Sequence, residues 1–378
     1  MRAFFRFLYE RSPHPGPPPP SGGGDESVSI FSLARFHIPS ARRGTVRVGA
    51  ALQCALMLLL SSLYASNGAL AVDIKRPEVR SLIDEMVKEH DFKRHSLNAL
   101  FKDADSKKAI LDAMSRPAER VVPWYEYRDR FLTEKRILKG ADFRRRHADI
   151  LNKSANDSVL SSVIVGILGV ETLYGEMTGR YRVLDALSTL AFDYPPRSDF
   201  FRKELKEFLL LEREESVNAT SVLGSYAGAM GAPQFMPTSY RAFAVDGDGD
   251  GKRDLWNSWD DVVASVANYL EQHGWRHGEP VVVRAEIPDG DISKFDTSTI
   301  ALNETVGSLK SKGVKFETSL APESPAMLVV AQGKDGPEYR VGFNNFFVIT
   351  RYNRSNMYAM AVYDLGTAIA GIIEDATR

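Results

Sequence analysis

Residues Val159 to Gly175, VLSSVIVGILGVETLYG, constrain this chain more than any other stretch. Val163, Ile164, Ile167, Leu168 and Val170 make the segment apolar on nearly every side, which suits a buried helix better than a surface one. Gly175 and Gly179 then break the helical pattern. Near the end sits one carboxylate, Glu171. A charge there must be paired, hydrated in a cleft or protonated. Desolvation favours the neutral acid, so Glu171 is a candidate general acid. The other reading is a structural Glu at a helix terminus, paired with an arginine.

The bulk properties narrow the class. The 378 residues are 44% apolar and 26% charged, as in a globular protein with room for more than one core. A formal net charge of −1 gives no basic field for nucleic acid. One cysteine, Cys54, rules out a disulfide framework or a cysteine zinc site in the body of the chain. The 7 histidines show no metal-ligand spacing such as H-E-x-x-H, and there is no Walker loop, G-x-G-x-x-G or G-x-S-x-G.

The N-terminal part reads in two pieces. Residues 1–47 contain PHPGPPPPSGGG, which cannot build a core, and are expected to be disordered or to reflect a start codon placed too far upstream. In residues 48–71 an apolar run follows Arg42, Arg43 and Arg47 and ends at Ala69-Leu70-Ala71, the order of a secretory signal peptide. Cleavage after Ala71 is expected, with an uncleaved inner-membrane anchor as the alternative. Cys54 precedes the apolar run rather than following it, so no lipoprotein signal is read there. Export would place the protein in the periplasm.

Residues 72–158 form a helical region, with apolar spacings of three and four in VRSLIDEMVKEH, LNALFKDA and SKKAILDAM, and an aromatic segment at Pro123–Arg128. Residues 159–279 hold the opening helix, further amphipathic helices over Tyr181–Tyr194 and Asp199–Glu215, and the irregular GSYAGAMGAPQFMPTSY, which carries Ser225 and Gln234. Asp246, Asp248 and Asp250 alternate with glycines, as in the first half of an EF-hand loop, with Gly251 at the sharp turn. Asn257 stands where the bidentate Glu belongs, and Asp260 is expected to supply the missing carboxylate. Calcium fits this all-oxygen set better than magnesium, which keeps its waters. Residues 280–350 turn to a period of two in VVVRAEI, AMLVVAQ, YRVGF and NFFVITRY, a small β-rich region. Residues 351–378 return to helix. The fold class is α+β, mainly helical.

Taken together, GVETLYG, RVLDALSTLAFDYP, GSYAGAMGAPQFMPTSY, the DGDGDG loop before DLW, VANYLEQHGW and FFVITRYNRS resemble the membrane-bound lytic murein transglycosylase B family, over about residues 75–375. The resemblance implies a lysozyme-like core that cleaves the MurNAc–GlcNAc bond of peptidoglycan strands and leaves 1,6-anhydro-MurNAc ends. It implies Glu171 as the catalytic acid and base. It implies Ser225, Gln234, Tyr127, Tyr269, Tyr352, Asn353 and Arg197 as groove residues. Calcium would be held by Asp246, Asp248, Asp250, the Lys252 carbonyl and Asp260, as a structural ion with no organic cofactor. Pro196-Arg197 stands where two arginines can occur, and Ala232-Pro233 replaces a more glycine-like pair. The missing lipobox points to a soluble, exported variant. A monomer, with cell-wall synthesis or division proteins as further partners, is the expected state. A muramidase-type hydrolase and a non-catalytic peptidoglycan-binding protein are the alternatives. Only one acid is nominated, where ordinary glycosidases need two.

Overall fold

The computed structural model describes residues 70–377 apart from 116–121, 156 and 216, so what the sequence suggests for residues 1–69 lies outside the described residues. Of the expected signal segment, Leu70–Ala71 form a short strand, β1, antiparallel to β2 at Asp105–Ser106.

The Glu171 segment is a helix over Ser158–Thr172, called here the central helix. Asp157 caps it, its Oδ1 accepting from the Val159 amide at 2.8 Å. Every residue from Val163 to Thr172 is buried, as an all-apolar helix requires. The helix stops abruptly. Leu173, Tyr174 and Gly175 take φ values of 53°, 59° and 86°, and Thr172 Oγ1 accepts from the Gly175 amide at 3.0 Å. Left-handed backbone is costly for Leu and Tyr. Burying the Tyr174 ring against Phe143, with centroids 5.4 Å apart, offsets that cost.

The last helix, Asn356–Thr377, runs antiparallel along the central helix. Glycines set the separation. A Cβ on Gly166 would collide with the Val362 carbonyl, and one on Gly366 with the Ser162 carbonyl. The helices Glu134–Arg146, Val183–Asp193, Ser198–Glu215 and Trp259–Gln272 pack around this pair, and one apolar core extends from Val72 to Ile369. That core draws residues from all four regions expected along the chain after residue 71.

The β-rich region is a four-stranded antiparallel sheet in the order β5 (Val282–Ala285), β8 (Pro337–Gly342), β7 (Pro325–Gln332), β6 (Glu304–Thr305). On β7, Met327, Val329 and Ala331 face the main core, while Ala326 and Leu328 face a second, smaller one with Val306, Leu309 and Phe316. This is the alternation that a period of two predicts.

NFFVITRY departs from the strand expectation: Asn344–Tyr352 is a helix. Its buried residues, Asn345, Phe346, Val348, Ile349 and Thr350, follow helical spacing. Asn345 secures it, donating through Nδ2 to the Arg276 and Glu279 carbonyls at 2.8 and 3.0 Å. Tertiary burial overrides the strand preference of Val348, Ile349 and Thr350.

Candidate active site

Four carboxylates are buried among the described residues, and three are well satisfied. Asp185 binds the Arg182 guanidinium, at 2.7 and 3.0 Å, and the Asp105 amide. Glu204 accepts from the amide and hydroxyl of Thr238. Asp261 accepts from the Gly247 and Asp254 amides. Glu171 is different. It is 4% exposed, its Oε1 accepts from the Tyr358 hydroxyl at 2.8 Å, and its Oε2 has no partner among the described residues. Among the described residues no arginine pairs with it, which speaks against the structural ion-pair reading. Desolvation pushes its pKa up to about 8, against the lowering effect of the Tyr358 bond. Burial thus favours the protonated form of the acid.

The other acids near it in sequence are engaged elsewhere. Glu176 is paired with Lys139, Asp185 with Arg182, and Asp193 with Arg76. No second carboxylate contributes to the shift at Glu171.

Tyrosines surround the acid. The Glu171 charge acts on the phenols of Tyr127, Tyr352 and Tyr358, and burial raises the pKa of each. Tyr127, on the helix Trp124–Asp129, packs between Trp124 and Phe131. Tyr352 donates to the Pro233 carbonyl at 2.6 Å, and Tyr269 to the Arg351 carbonyl at 2.7 Å. The two rings meet edge to face at 4.8 Å, and Phe235 touches both. Tyr352 also lies nearly parallel to Tyr358, with centroids 6.5 Å apart and 11° between planes.

The Ser225–Gln234 segment is tied to this cluster. Thr172, next to the acid, donates to the Ala232 carbonyl at 2.8 Å. Ser225 Oγ accepts from the Ala227 and Ala229 amides, folding the turn on itself. Gln234 holds φ at 56° and donates through Nε2 to the carbonyls of Thr178 and Gly231. Its Oε1 is buried with no partner among the described residues, and so are both amide atoms of Asn353, a residue 2% exposed. Buried polar atoms left without a protein partner can be met by the amides and hydroxyls of a ligand. Arg197, on a 3₁₀ turn at Pro195–Arg197, lays its guanidinium 4.3 Å from the Phe200 ring centre.

In the acidic loop, Asp246 accepts from the amides of Gly249, Asp250 and Gly251. The oxygens that converge, all within 4.8 Å of one another, belong to Asp246, Asp248 and Asp261. Asp250 and Asp260 are not in this group. Asp261 sits in the first turn of the helix Trp259–Gln272, and Ser258, which caps that helix, donates to Asp248 at 2.9 Å. Three hard carboxylate oxygens in a glycine-bearing turn fit calcium.

Comparison with known proteins agrees with the fold. The Transglycosylase SLT domain family matches residues 75–367. The chain belongs to the lytic transglycosylases of this family. It is 38% identical over 309 residues to membrane-bound lytic murein transglycosylase B of Escherichia coli (strain K12), covering 78% of this chain and 83% of that one. Lytic transglycosylase SltB1 from Pseudomonas aeruginosa superimposes with a TM-score of 0.76 at 50% identity, over 79% of this chain and 98% of that one. The Escherichia coli lytic transglycosylase Slt35 in complex with calcium superimposes with a TM-score of 0.72 at 36% identity, over 81% and 97% of the two chains. The lysozyme-like, mainly helical fold expected from the motifs is the fold of this transglycosylase, and the non-catalytic alternative is set aside.

Sequence reasoning about this transglycosylase missed Tyr358, the one side chain among the described residues that is bonded to Glu171. It lies in MYAMAVYD, where an aromatic among small residues reads as core. Only the antiparallel register of the last helix on the central helix reveals its role. Among the described residues no helix is long and apolar enough to cross a membrane.

Proposed function

We propose that this lytic transglycosylase cleaves the MurNAc–GlcNAc bond of peptidoglycan with Glu171 as its single acid and base, and closes a 1,6-anhydro ring on the MurNAc product. One observation carries the reading: among the described residues Glu171 is buried with a single hydrogen-bond donor, and no second carboxylate contributes to its raised pKa. An ordinary inverting or retaining glycosidase uses a second carboxylate to activate water or attack the sugar. A lone acid suffices when the substrate supplies the nucleophile.

The protonated acid gives its proton to the glycosidic oxygen as the bond to the MurNAc anomeric carbon breaks. The N-acetyl oxygen of the same sugar closes on that carbon. Glu171, now a carboxylate held by the Tyr358 hydroxyl, takes the proton of the MurNAc 6-hydroxyl. The freed oxygen displaces the N-acetyl oxygen and forms the anhydro ring. The acid ends protonated, and no water is consumed. A pKa raised to about 8 suits a group that must start as an acid and pass through its base form. The unmet amide atoms of Asn353 and Gln234 are suited to the N-acetyl and peptide groups, and the tyrosines Tyr127, Tyr269 and Tyr352 shape the wall around them.

Calcium at Asp246, Asp248 and Asp261 would be structural, fixing the loop to the start of the helix that carries Tyr269. Residues 42–71 support export to the periplasm, which cell fractionation would check. Mass spectrometry of digested sacculi tests the main reading. Anhydro-muropeptides are expected; products heavier by one water would make the enzyme a hydrolase.

A further inference from the structure

The mechanism leaves the ion pair of Arg340 and Asp364 without a role. Arg340, on β8, is 7% exposed. Its Nη1 and Nη2 donate to the two oxygens of Asp364 at 2.6 and 2.8 Å, a bidentate pair. Asp364 lies on the last helix, six residues and so about 9 Å beyond Tyr358 along the axis. The guanidinium also lies 5.4 Å from the Trp124 ring centre. Trp124 is 1% exposed, stacks on Tyr127 at 6.3 Å, and donates through Nε1 to Glu338 of β8 at 3.2 Å. Arg128, on the same helix as Trp124 and Tyr127, reaches Asp364 at 3.9 Å.

Three elements therefore meet at this pair: the sheet through Arg340 and Glu338, the Trp124–Asp129 helix through Trp124 and Arg128, and the last helix through Asp364. Two of them carry tyrosines that enclose the acid, Tyr127 and Tyr358. A buried pair of this kind is weak as a source of stability, because desolvating both charges cancels much of their attraction. Its directional geometry is what it offers, since a bidentate fork fixes both distance and angle.

We propose that Arg340 and Asp364 are positioning residues for catalysis, clamping the Tyr127 and Tyr358 walls on either side of Glu171 so that water stays out. The inference rests on the reading of Glu171 as the acid, but its test can be read without turnover. The titratable groups on which the Glu171 charge acts are Tyr127, Tyr352 and Tyr358, from three different helices. Those facing the clamp are Arg128 and Glu338. None of the clamp's own groups touches the acid, so any effect on it must pass through the walls.

The test is the Glu171 titration midpoint in the full chain, followed by NMR of side-chain-labelled glutamate in wild type, R340M, R340K and D364N. Loosened walls admit water and favour the carboxylate, so the midpoint should fall by about one pH unit or more in R340M and D364N. R340K, which keeps the cation without the fork, should lie between them and wild type. On sacculi the basic limb of kcat should move down with the midpoint, while KM changes less than about two-fold. A folded D364N with an unchanged Glu171 midpoint would overturn the proposal. That variant keeps the shape of Asp364 and decides the matter should R340M fail to fold. A hydrolytic product from wild type would sink the transglycosylase chemistry while leaving the midpoint comparison intact.

Discussion

Gly166 and Gly366 face each other's helices at closest approach, each against a carbonyl of the opposing backbone. A side chain at either position meets a rigid group, so the helices can only move apart. Gly166→Val and Gly366→Val should each cost about 1–3 kcal/mol, read as a lower urea midpoint at unchanged slope. Because the same contact sets the reach of Tyr358 to Glu171, activity should fall by more than the loss of folded protein explains.

Tyr358→Phe removes the one hydrogen bond that favours the Glu171 carboxylate. The pKa of the acid should then rise further above about 8, and the basic limb of the pH–rate profile should move to higher pH. The carboxylate formed in mid-reaction also loses its donor, so kcat at neutral pH should fall about ten-fold, equivalent to one charge-assisted hydrogen bond. A limb that moves to lower pH would contradict the assigned effect of the bond.

Glu171→Gln should abolish cleavage and retain binding of the glycan, and it should also change how stability depends on pH. The folded-state pKa is raised, so the native protein holds a proton that the unfolded chain releases between about 4.5 and about 8. Wild type therefore loses stability across that window as pH rises, by on the order of 1 kcal/mol per pH unit. The Gln variant does not. Its Tm should match wild type near pH 4 and exceed it at pH 8 and above, as scanning calorimetry would show.

The acidic loop makes a choice between adjacent residues testable. Calcium should raise the Tm of wild type, and a chelator should lower it. Asp261→Asn should lose most of that calcium-dependent shift, whereas Asp260→Asn should keep it. The readout is the shift on adding calcium, because Asp261 also accepts two backbone amides and its loss lowers the starting Tm. Equal shifts in both variants would remove Asp261 from the ligand set.

The sequence makes the acid legible and its surroundings only partly so. An all-apolar segment with one carboxylate can hardly be anything but a buried helix, and Glu171 lies where that reading puts it. The β7 strand is equally readable, since its two faces enter two cores and keep strict alternation. NFFVITRY is not, because its β-branched residues satisfy a period of two as well as a helical one, and contacts such as those of Asn345 decide. Asp260 and Asp261 differ by one step of about 100° around a helix, and spacing rules for a calcium loop do not extend to a ligand on the helix that follows. Tyr358 carries no local signal at all.

The bond between Glu171 and Tyr358 joins residues 187 positions apart, the second of them in the last helix of the chain. The same helix packs along the central helix, so the burial that raises the pKa of the acid also depends on the docking of a distant segment. Until the helix Asn356–Thr377 has docked, Glu171 lacks both its hydrogen-bond donor and the cover that this helix gives it.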